Sequence, residues 1–205
     1  MTLRKIHFTS GVILTLFIGL HLFNHLCSVA GAEEHIAMMN TLRPVYRNLF
    51  VETILLSAVV VQIVTGLTLF KVSIKAEVSF FGRLHVWTGM YLAFFLLLHT
   101  SAVLIGRTVL HLDTNFYFGV AGLNTFPFNL FFIPYYALAI LSFAGHVAAI
   151  HYKKMDRFLL GISIYKQSMI ILGIGVAITL IIFFGLTNHF HGVDIPKEYN
   201  VLIGK

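Results

Sequence analysis

Residues 4–21 read RKIHFTSGVILTLFIGLH, and residues 82–99 read GRLHVWTGMYLAFFLLLH. The two stretches share the spacing His-x3-Gly-x9-His, through His7, Gly11 and His21 in the first and His85, Gly89 and His99 in the second. At about 1.5 Å and 100° per residue, fourteen residues bring the second histidine to within about 40° of the first on a helix, about 21 Å further along. The pattern therefore predicts two apolar helices that each carry two histidines on one face.

The composition is that of a membrane protein. Mean hydropathy is +0.89, and 58% of residues are apolar while only 11% are charged, against about 25% charged residues in an average soluble domain. Five apolar stretches are long enough to cross about 30 Å of hydrocarbon as helices, namely residues 8–29, 49–70, 84–106, 128–150 and 167–187. We therefore expect an all-α membrane protein, with one five-helix transmembrane bundle over residues 1–205.

Basic residues predict the orientation of this bundle. Nine Lys and Arg lie in the amino-terminal tail and in the second and fourth connections, and five lie on the opposite side. The positive-inside rule places the amino terminus in the cytoplasm and the carboxy terminus outside, in the inner (cytoplasmic) membrane of a cell. The first stretch has no small-residue cleavage site, so we expect a retained span and not a signal peptide. Contact with lipid headgroups accounts for the net charge of +6, and no nucleic-acid partner is expected.

Depth separates the histidines into groups. His35, His111, His189 and His191 fall in connections or at membrane edges, where solvated or interfacial side chains are expected. His21, His25, His99 and His146 lie well inside predicted spans, where an imidazole needs a partner. The first and third spans run in the same direction, and His21 and His99 fall at nearly the same depth. They are the favoured pair of axial ligands for a haem iron, and His25, about 6 Å nearer the outside, is the rival of His21.

Two connecting segments have recognisable character. Residues 32–40 are predicted to form a short interfacial helix with Glu33 and Glu34 at its amino end. We expect this helix to end at Arg43-Pro44. Residues 111–127 are rich in aromatic residues, Gly and Asn, and we expect a loop lying at the outer membrane interface. The single Cys27 allows no internal disulfide and too few thiolates for an iron–sulfur cluster.

The chain resembles the five-helix cytochrome b membrane anchors of bacterial succinate dehydrogenases and fumarate reductases. The residues that carry the likeness are Arg4-Lys5-Ile6-His7, Gly11, Val12, Tyr46-Arg47, Glu52, Gly66, Thr88-Gly89, His99 and His146. The resemblance implies a haem b between the first and third helices, held by His21 and His99, and a second between the second and fourth helices, held in part by His146. It also implies electron transfer between a quinone pool, menaquinone or another quinone, and flavoprotein and iron–sulfur partner subunits.

One ligand of the family pattern is missing. Gln62 stands four residues before Gly66, where the pattern has histidine, and glutamine is a poor haem ligand. We therefore expect one haem b, with a second only if His146 recruits His85 or His7. Gly11 and Gly89 lie on the histidine faces and either allow close helix packing or let a porphyrin edge approach the backbone.

Glu52 is the one carboxylate within an apolar span. One interpretation is that Glu52 forms an interfacial ion pair, either with Arg47 or with a lipid headgroup. The other is that Glu52 accepts a proton from a quinol oxidised near the outer haem. The aromatic segment after Arg107 is a candidate cover for such a quinol site.

Two other function classes remain open. A membrane hydroxylase with non-haem iron would use clustered histidines such as His21-x3-His25, His146-x4-His151 and His189-x-His191, although no His-His pair occurs. A membrane scaffold without cofactor would leave the buried histidines needing other partners. Visible absorption spectra of the reduced protein distinguish a haem protein from both.

Overall fold

The computed structural model of this chain describes residues 2–75 and 78–205. Within these residues the chain forms seven α-helices and two 3-10 turns, and no β-strand. The helices are α1 (Leu3–Cys27), α2 (Ala32–Tyr46), α3 (Leu49–Ser73), α4 (Phe80–Thr108), α5 (Phe116–Val120), α6 (Asn129–Lys154) and α7 (Ile164–Leu186), and the turns are Ser28–Ala30 and Lys197–Ile203.

Five helices of the described chain are long and apolar enough to cross a membrane: α1 with its 3-10 extension (Leu3–Ala30), α3, α4, α6 and α7. Helices satisfy every backbone hydrogen bond internally, which hydrocarbon requires. The expected all-α, five-span architecture is confirmed, and it indicates a multi-pass protein in a lipid bilayer.

Short polar side chains start three of the spans. Asn48 Oδ1 accepts a hydrogen bond from the backbone N–H of Phe50 at the start of α3. Ser79 and Ser163 do the same through their hydroxyl oxygens at the starts of α4 and α7. Each cap satisfies a backbone donor that the first turn of a helix leaves without a partner.

The spans pack as a closed ring. Each contacts its successor in the chain, and α7 returns to α1. Successive spans alternate in direction, so we call the end of the bundle where α1 begins the amino-terminal side, and the opposite end the carboxy-terminal side.

Helices α2 and α5 and the 3-10 turn Lys197–Ile203 gather on the carboxy-terminal side. Helix α2 continues to Tyr46 and passes through Pro44, where we expected it to stop. Proline in a helix removes a backbone hydrogen bond, and here only two residues of the helix follow it. The expected aromatic loop is wrong for its middle part, which forms the short helix α5, and Phe116 on α5 is only 2% exposed and packs in a cluster with Ile182 and Leu186 of α7.

Candidate functional site: two histidine clusters

Two spans and α2 bring four histidines together in the carboxy-terminal half of the bundle, and we call them the carboxy-terminal cluster: His21 and His25 on α1, His35 on α2 and His99 on α4. His21 lies 18 residues after the start of α1 and His99 lies 19 residues after the start of α4, so the two reach similar depth. Their ring centres are 6.0 Å apart. The ring centre of His25 lies 4.5 Å from that of His21 and 5.2 Å from that of His35.

Hydrogen bonds join three of these imidazoles in a row. His35 Nε2 lies 3.2 Å from Asn24 Nδ2 and 3.3 Å from His25 Nδ1. An amide nitrogen only donates, so His35 Nε2 is the acceptor, and its single lone pair is shared by the Asn24 amide and by His25 Nδ1, which also donates. His25 Nε2 then accepts from Nε2 of His21, 3.2 Å away. Both ring nitrogens of His25 are thus engaged by other side chains.

His35 differs from the expectation of a solvated or interfacial side chain. It is 3% exposed, and its ring lies against Phe116 with ring centres 5.2 Å apart. Burial, and after it the nearby His21 and Arg43, lower the pKa of His35 from 6.5 to about 4. The imidazole is therefore neutral at physiological pH.

Aromatic rings lie flat against His21 on α1 and His99 on α4. Phe17 stacks on His21 with ring centres 5.9 Å apart, and Phe95 stacks on His99 at 5.0 Å. These stacks restrict the rotation of both imidazoles while leaving their ring edges free to interact.

A second group of histidines, the amino-terminal cluster, consists of His7, His85 and His146. His85 on α4 and His146 on α6 stack with ring centres 4.4 Å apart and an interplanar angle of 24°. His7 on α1 interacts electrostatically with His146, and its Nδ1 lies 2.8 Å from the hydroxyl of Thr65 on α3. The structure thus places His146 against His85, which with His7 was one of the two residues expected to share a second haem with it.

Gly11 and Gly89 each lie four residues after a histidine. At both glycines a side chain from another helix approaches the backbone closely. A Cβ atom at Gly89 would lie 3.0 Å from Cε1 of His146, and one at Gly11 would lie 2.9 Å from Nε2 of Gln62. Gln62 Oε1 also accepts a hydrogen bond from the hydroxyl of Ser10, 3.0 Å away. In this arrangement both glycines make room for a side chain of another span, and Gln62 links α1 to α3.

Charged residues pair at the carboxy-terminal side. Glu52 on α3 accepts a hydrogen bond from Nη2 of Arg107 on α4 in an ion pair. Arg47, the partner we expected for Glu52, donates instead to the hydroxyl of Thr114 at 2.7 Å. Arg43 on α2 pairs with Asp113.

The remaining histidines lie apart from both clusters. His111, His189 and His191 are exposed, as expected, and His151 Nε2 lies 2.9 Å from Oε1 of Gln167 on α7. The histidine pairs that suggested a non-haem iron site are therefore distributed over several places. In the part of the chain described, no group of three or more His, Cys, Asp or Glu is arranged to hold a metal ion.

The two clusters differ in how they would fit a haem. Metal–imidazole bonds are about 2 Å long, so the ring centres of two imidazoles on opposite sides of one iron are roughly 6 Å apart. The 6.0 Å between His21 and His99 fits this spacing. The 4.4 Å stack of His85 on His146 does not, because the rings lie face to face with no room between them.

Sequence reasoning missed Asn24, His35 and Arg107 as members of the site. Asn24 could have been found, because it lies three residues after His21 on the same helix face, within an apolar span. Comparison of the chain with protein-family models, with curated proteins and with solved structures found no match.

Proposed function

We propose that this chain is a membrane cytochrome that holds one haem b between His21 and His99 and exchanges electrons with lipid-dissolved quinone. The observation that carries the proposal is the approach of these imidazoles to 6.0 Å from two different spans at one depth. A haem bound there would supply reversible one-electron transfer, and two histidine ligands would leave the iron no open position.

The side chains around the pair have separable tasks. Phe17 and Phe95 keep the two imidazole planes fixed. Both ring nitrogens of His25 are engaged in hydrogen bonds to other side chains. His21 is therefore the better candidate for a haem ligand. Nε2 of His21 hydrogen-bonds to His25 at 3.2 Å, and His21 would give up this hydrogen bond if it held a haem iron through that nitrogen.

The test is whether two variants remove the same haem. We expect His21→Ala and His99→Ala each to abolish the Soret band and the α band of the reduced, purified protein, because each removes one of two axial ligands. His191→Ala, at an exposed position, is the matched control and keeps the full spectrum. A normal six-coordinate low-spin spectrum with full haem content in either cluster variant would disprove the pairing.

The wider role is part of the same proposal. The resemblance to succinate dehydrogenase and fumarate reductase anchors favours flavoprotein and iron–sulfur subunits as partners on the amino-terminal side. The excess of Lys and Arg at that side favours its exposure to the cytoplasm and the inner membrane as the location. Copurification from the native membrane followed by identification of bound proteins tests the partners.

A further inference from the structure

The turn between α6 and α7, residues 155–163, lies on the amino-terminal side and exposes three consecutive apolar side chains. Phe158 is 68% exposed, Leu159 is 49% exposed and Leu160 is 100% exposed, and we call residues 158–160 the apolar tip. Large apolar side chains that cluster on a surface indicate contact with a membrane or with another protein. The tip therefore calls for a partner of one of these two classes.

The backbone conformation at the tip is unfavourable for the residue that occupies it. Leu160 has a φ of 50° and Gly161 a φ of 76°, and the N–H of Ile162 donates to the carbonyl oxygen of Leu159 at 2.8 Å. A two-residue turn with positive φ at both central positions is of type I′, which favours Asn, Asp or Gly at the first of them. Leucine is strained there, which indicates that its side chain has a role outside the turn.

Buried Gln167, on the first turn of α7, holds the base of this turn. Its Nε2 donates to the carbonyl oxygens of Arg157 at 3.2 Å and Ile162 at 2.8 Å. Its Oε1 accepts a hydrogen bond from Nε2 of His151 on α6, 2.9 Å away. These bonds join both ends of the tip to the two helices, so the tip projects from a fixed base.

The apolar surface continues from the tip onto α7. A shallow groove of about 480 Å³ is lined by Ile162, Tyr165, Lys166, Met169 and Ile170. Because α7 is a membrane span, this groove faces lipid, and tyrosine is a residue type that is enriched at membrane–water interfaces. An acyl chain of the bilayer therefore has access to the surface that the tip extends.

Positive charge accompanies this apolar surface. The side chain of Arg157 is 84% exposed and Lys166 is exposed as well, whereas Asp156 is the one acidic residue of the turn. By sequence, nine of the 14 Lys and Arg but only two of the eight Asp and Glu belong to the amino-terminal side. Basic residues beside an apolar segment are typical of contact with anionic lipid. Of the two classes of partner, these observations favour the membrane.

We propose that the apolar tip inserts into the leaflet on the amino-terminal side, and that Arg157 and Lys166 bind the headgroup of an anionic phospholipid whose acyl chain lies in the groove on α7. Burial of Leu160 in hydrocarbon offsets the strain of its backbone. The lipid site is separate from the proposed haem site, and its test does not depend on haem.

The first experiment locates the tip. A nitroxide spin label is attached at Leu160→Cys in a Cys27→Ala background, in the full chain in nanodiscs of phosphatidylcholine and phosphatidylglycerol. Oxygen concentrates in hydrocarbon and a charged or hydrated nickel chelate stays in water, so power-saturation EPR with each reagent reports the depth of the label. We expect the label at 160 to resemble one at Leu180→Cys, on the lipid-facing surface of α7. A label at 160 that the nickel chelate reaches as readily as one at Lys205→Cys would overturn the proposal and leave the tip available to a soluble partner.

The second experiment measures lipid selectivity. Native mass spectrometry compares retention of phosphatidylglycerol and phosphatidylcholine, with the same acyl chains, by the detergent-purified full chain. Arg157→Gln combined with Lys166→Gln should lower the preference for phosphatidylglycerol about fivefold or more, since each cation near an anionic headgroup contributes about that factor. Lys71→Gln combined with Lys75→Gln removes the same charge from the end of α3 and should keep the preference.

A third variant separates lipid binding from folding. Leu160→Asn places a residue that the turn favours at the tip, so its thermal stability in micelles should equal or exceed that of the native chain while its lipid retention falls. Equal retention of the two lipids by the native chain, an unchanged preference in the Arg157 and Lys166 double variant, or full lipid retention in Leu160→Asn would each contradict the proposed site.

Discussion

His21 and His25 lie one helical turn apart, and their hydrogen bonds give them different chemistry. His25 is enclosed by His21 and His35, one at each ring nitrogen. His21 faces His99 across the bundle. Depth alone, read from sequence, favoured His21 as the ligand, and the structure adds the hydrogen bonds that distinguish the two.

His35 predicts a pH dependence of stability. Its pKa in the folded protein is about 4, below the ordinary 6.5, so between these pH values the unfolded chain binds a proton that the folded chain does not. Stability should therefore fall as the pH decreases from about 6.5 to about 4, by up to about 1.4 kcal/mol per pH unit, and the loss is complete below that range.

The measurement is thermal denaturation in nanodiscs across this pH range. His35→Gln keeps a polar side chain but cannot titrate, so its stability should depend less on pH than that of the native chain. His191→Gln, at an exposed histidine, should retain the native pH dependence. Identical pH dependence in all three proteins would mean that His35 titrates normally.

Glu52 supports a second prediction at this scale. If Glu52 accepts a proton from quinol, Glu52→Gln should slow haem reduction by a menaquinol analogue about 100-fold and leave the spectrum unchanged. Arg107→Gln breaks the same ion pair but keeps the carboxylate, and it should have a much smaller effect. Stopped-flow absorbance measures both rates. If the two variants slow haem reduction equally, or if Glu52→Gln slows it less than about threefold, Glu52 is only an ion-pair partner of Arg107.

The presence of each membrane-spanning helix could be predicted from the sequence, but the residues at which the helices begin and end were harder to predict. Apolar content marks the part of a helix that lies in hydrocarbon, but α1 already begins at Leu3 and α6 continues to Lys154. These extensions contain Arg4, Lys5 and Lys153, which hydropathy assigns to the connections. Charged side chains in the headgroup region are compatible with a continuing helix, so the hydrophobic stretch gives a lower bound on helix length.

Glycines of α7 predict how α6 and α7 pack. A Cβ atom at Gly175 would collide with Cβ of Ala144 on α6, whereas one at Gly173 would meet nothing. Gly175→Ala should therefore destabilise the bundle by about 1–3 kcal/mol, while Gly173→Ala should be neutral or stabilising by up to about 1 kcal/mol. Reversible unfolding in mixed micelles measures both. Equal effects would show that the helices do not pack closely at Gly175.

The number of haems that the proposed cytochrome would hold is a property of the whole bundle. The His21–His99 pair has the ring spacing of two axial ligands, whereas His85 and His146 are stacked at 4.4 Å. We expect one haem b per chain by the pyridine haemochrome assay, and unchanged haem content in His146→Ala. A ratio near two that falls in His146→Ala would contradict this reading of the amino-terminal cluster.

At the scale of the molecule, sequence predicted the number of spans but not how α2 and α5 cover the bundle on the carboxy-terminal side. Periodicity and hydropathy describe how each segment meets lipid. The burial of His35 and Phe116 depends on α2 and α5 folding back over the spans, and such tertiary contacts leave no periodic signal in a short connection.

The approach of His21 to His99 also constrains biogenesis. The two residues are 78 positions apart, and they come from the first and third spans. Because the chain is synthesised from its amino terminus, the first span is made before α4, and its imidazole has no counterpart there until two further spans have been synthesised. Any ligand that needs both histidines is therefore acquired after membrane insertion of the third span, and the supply of that ligand cannot direct the insertion of the first.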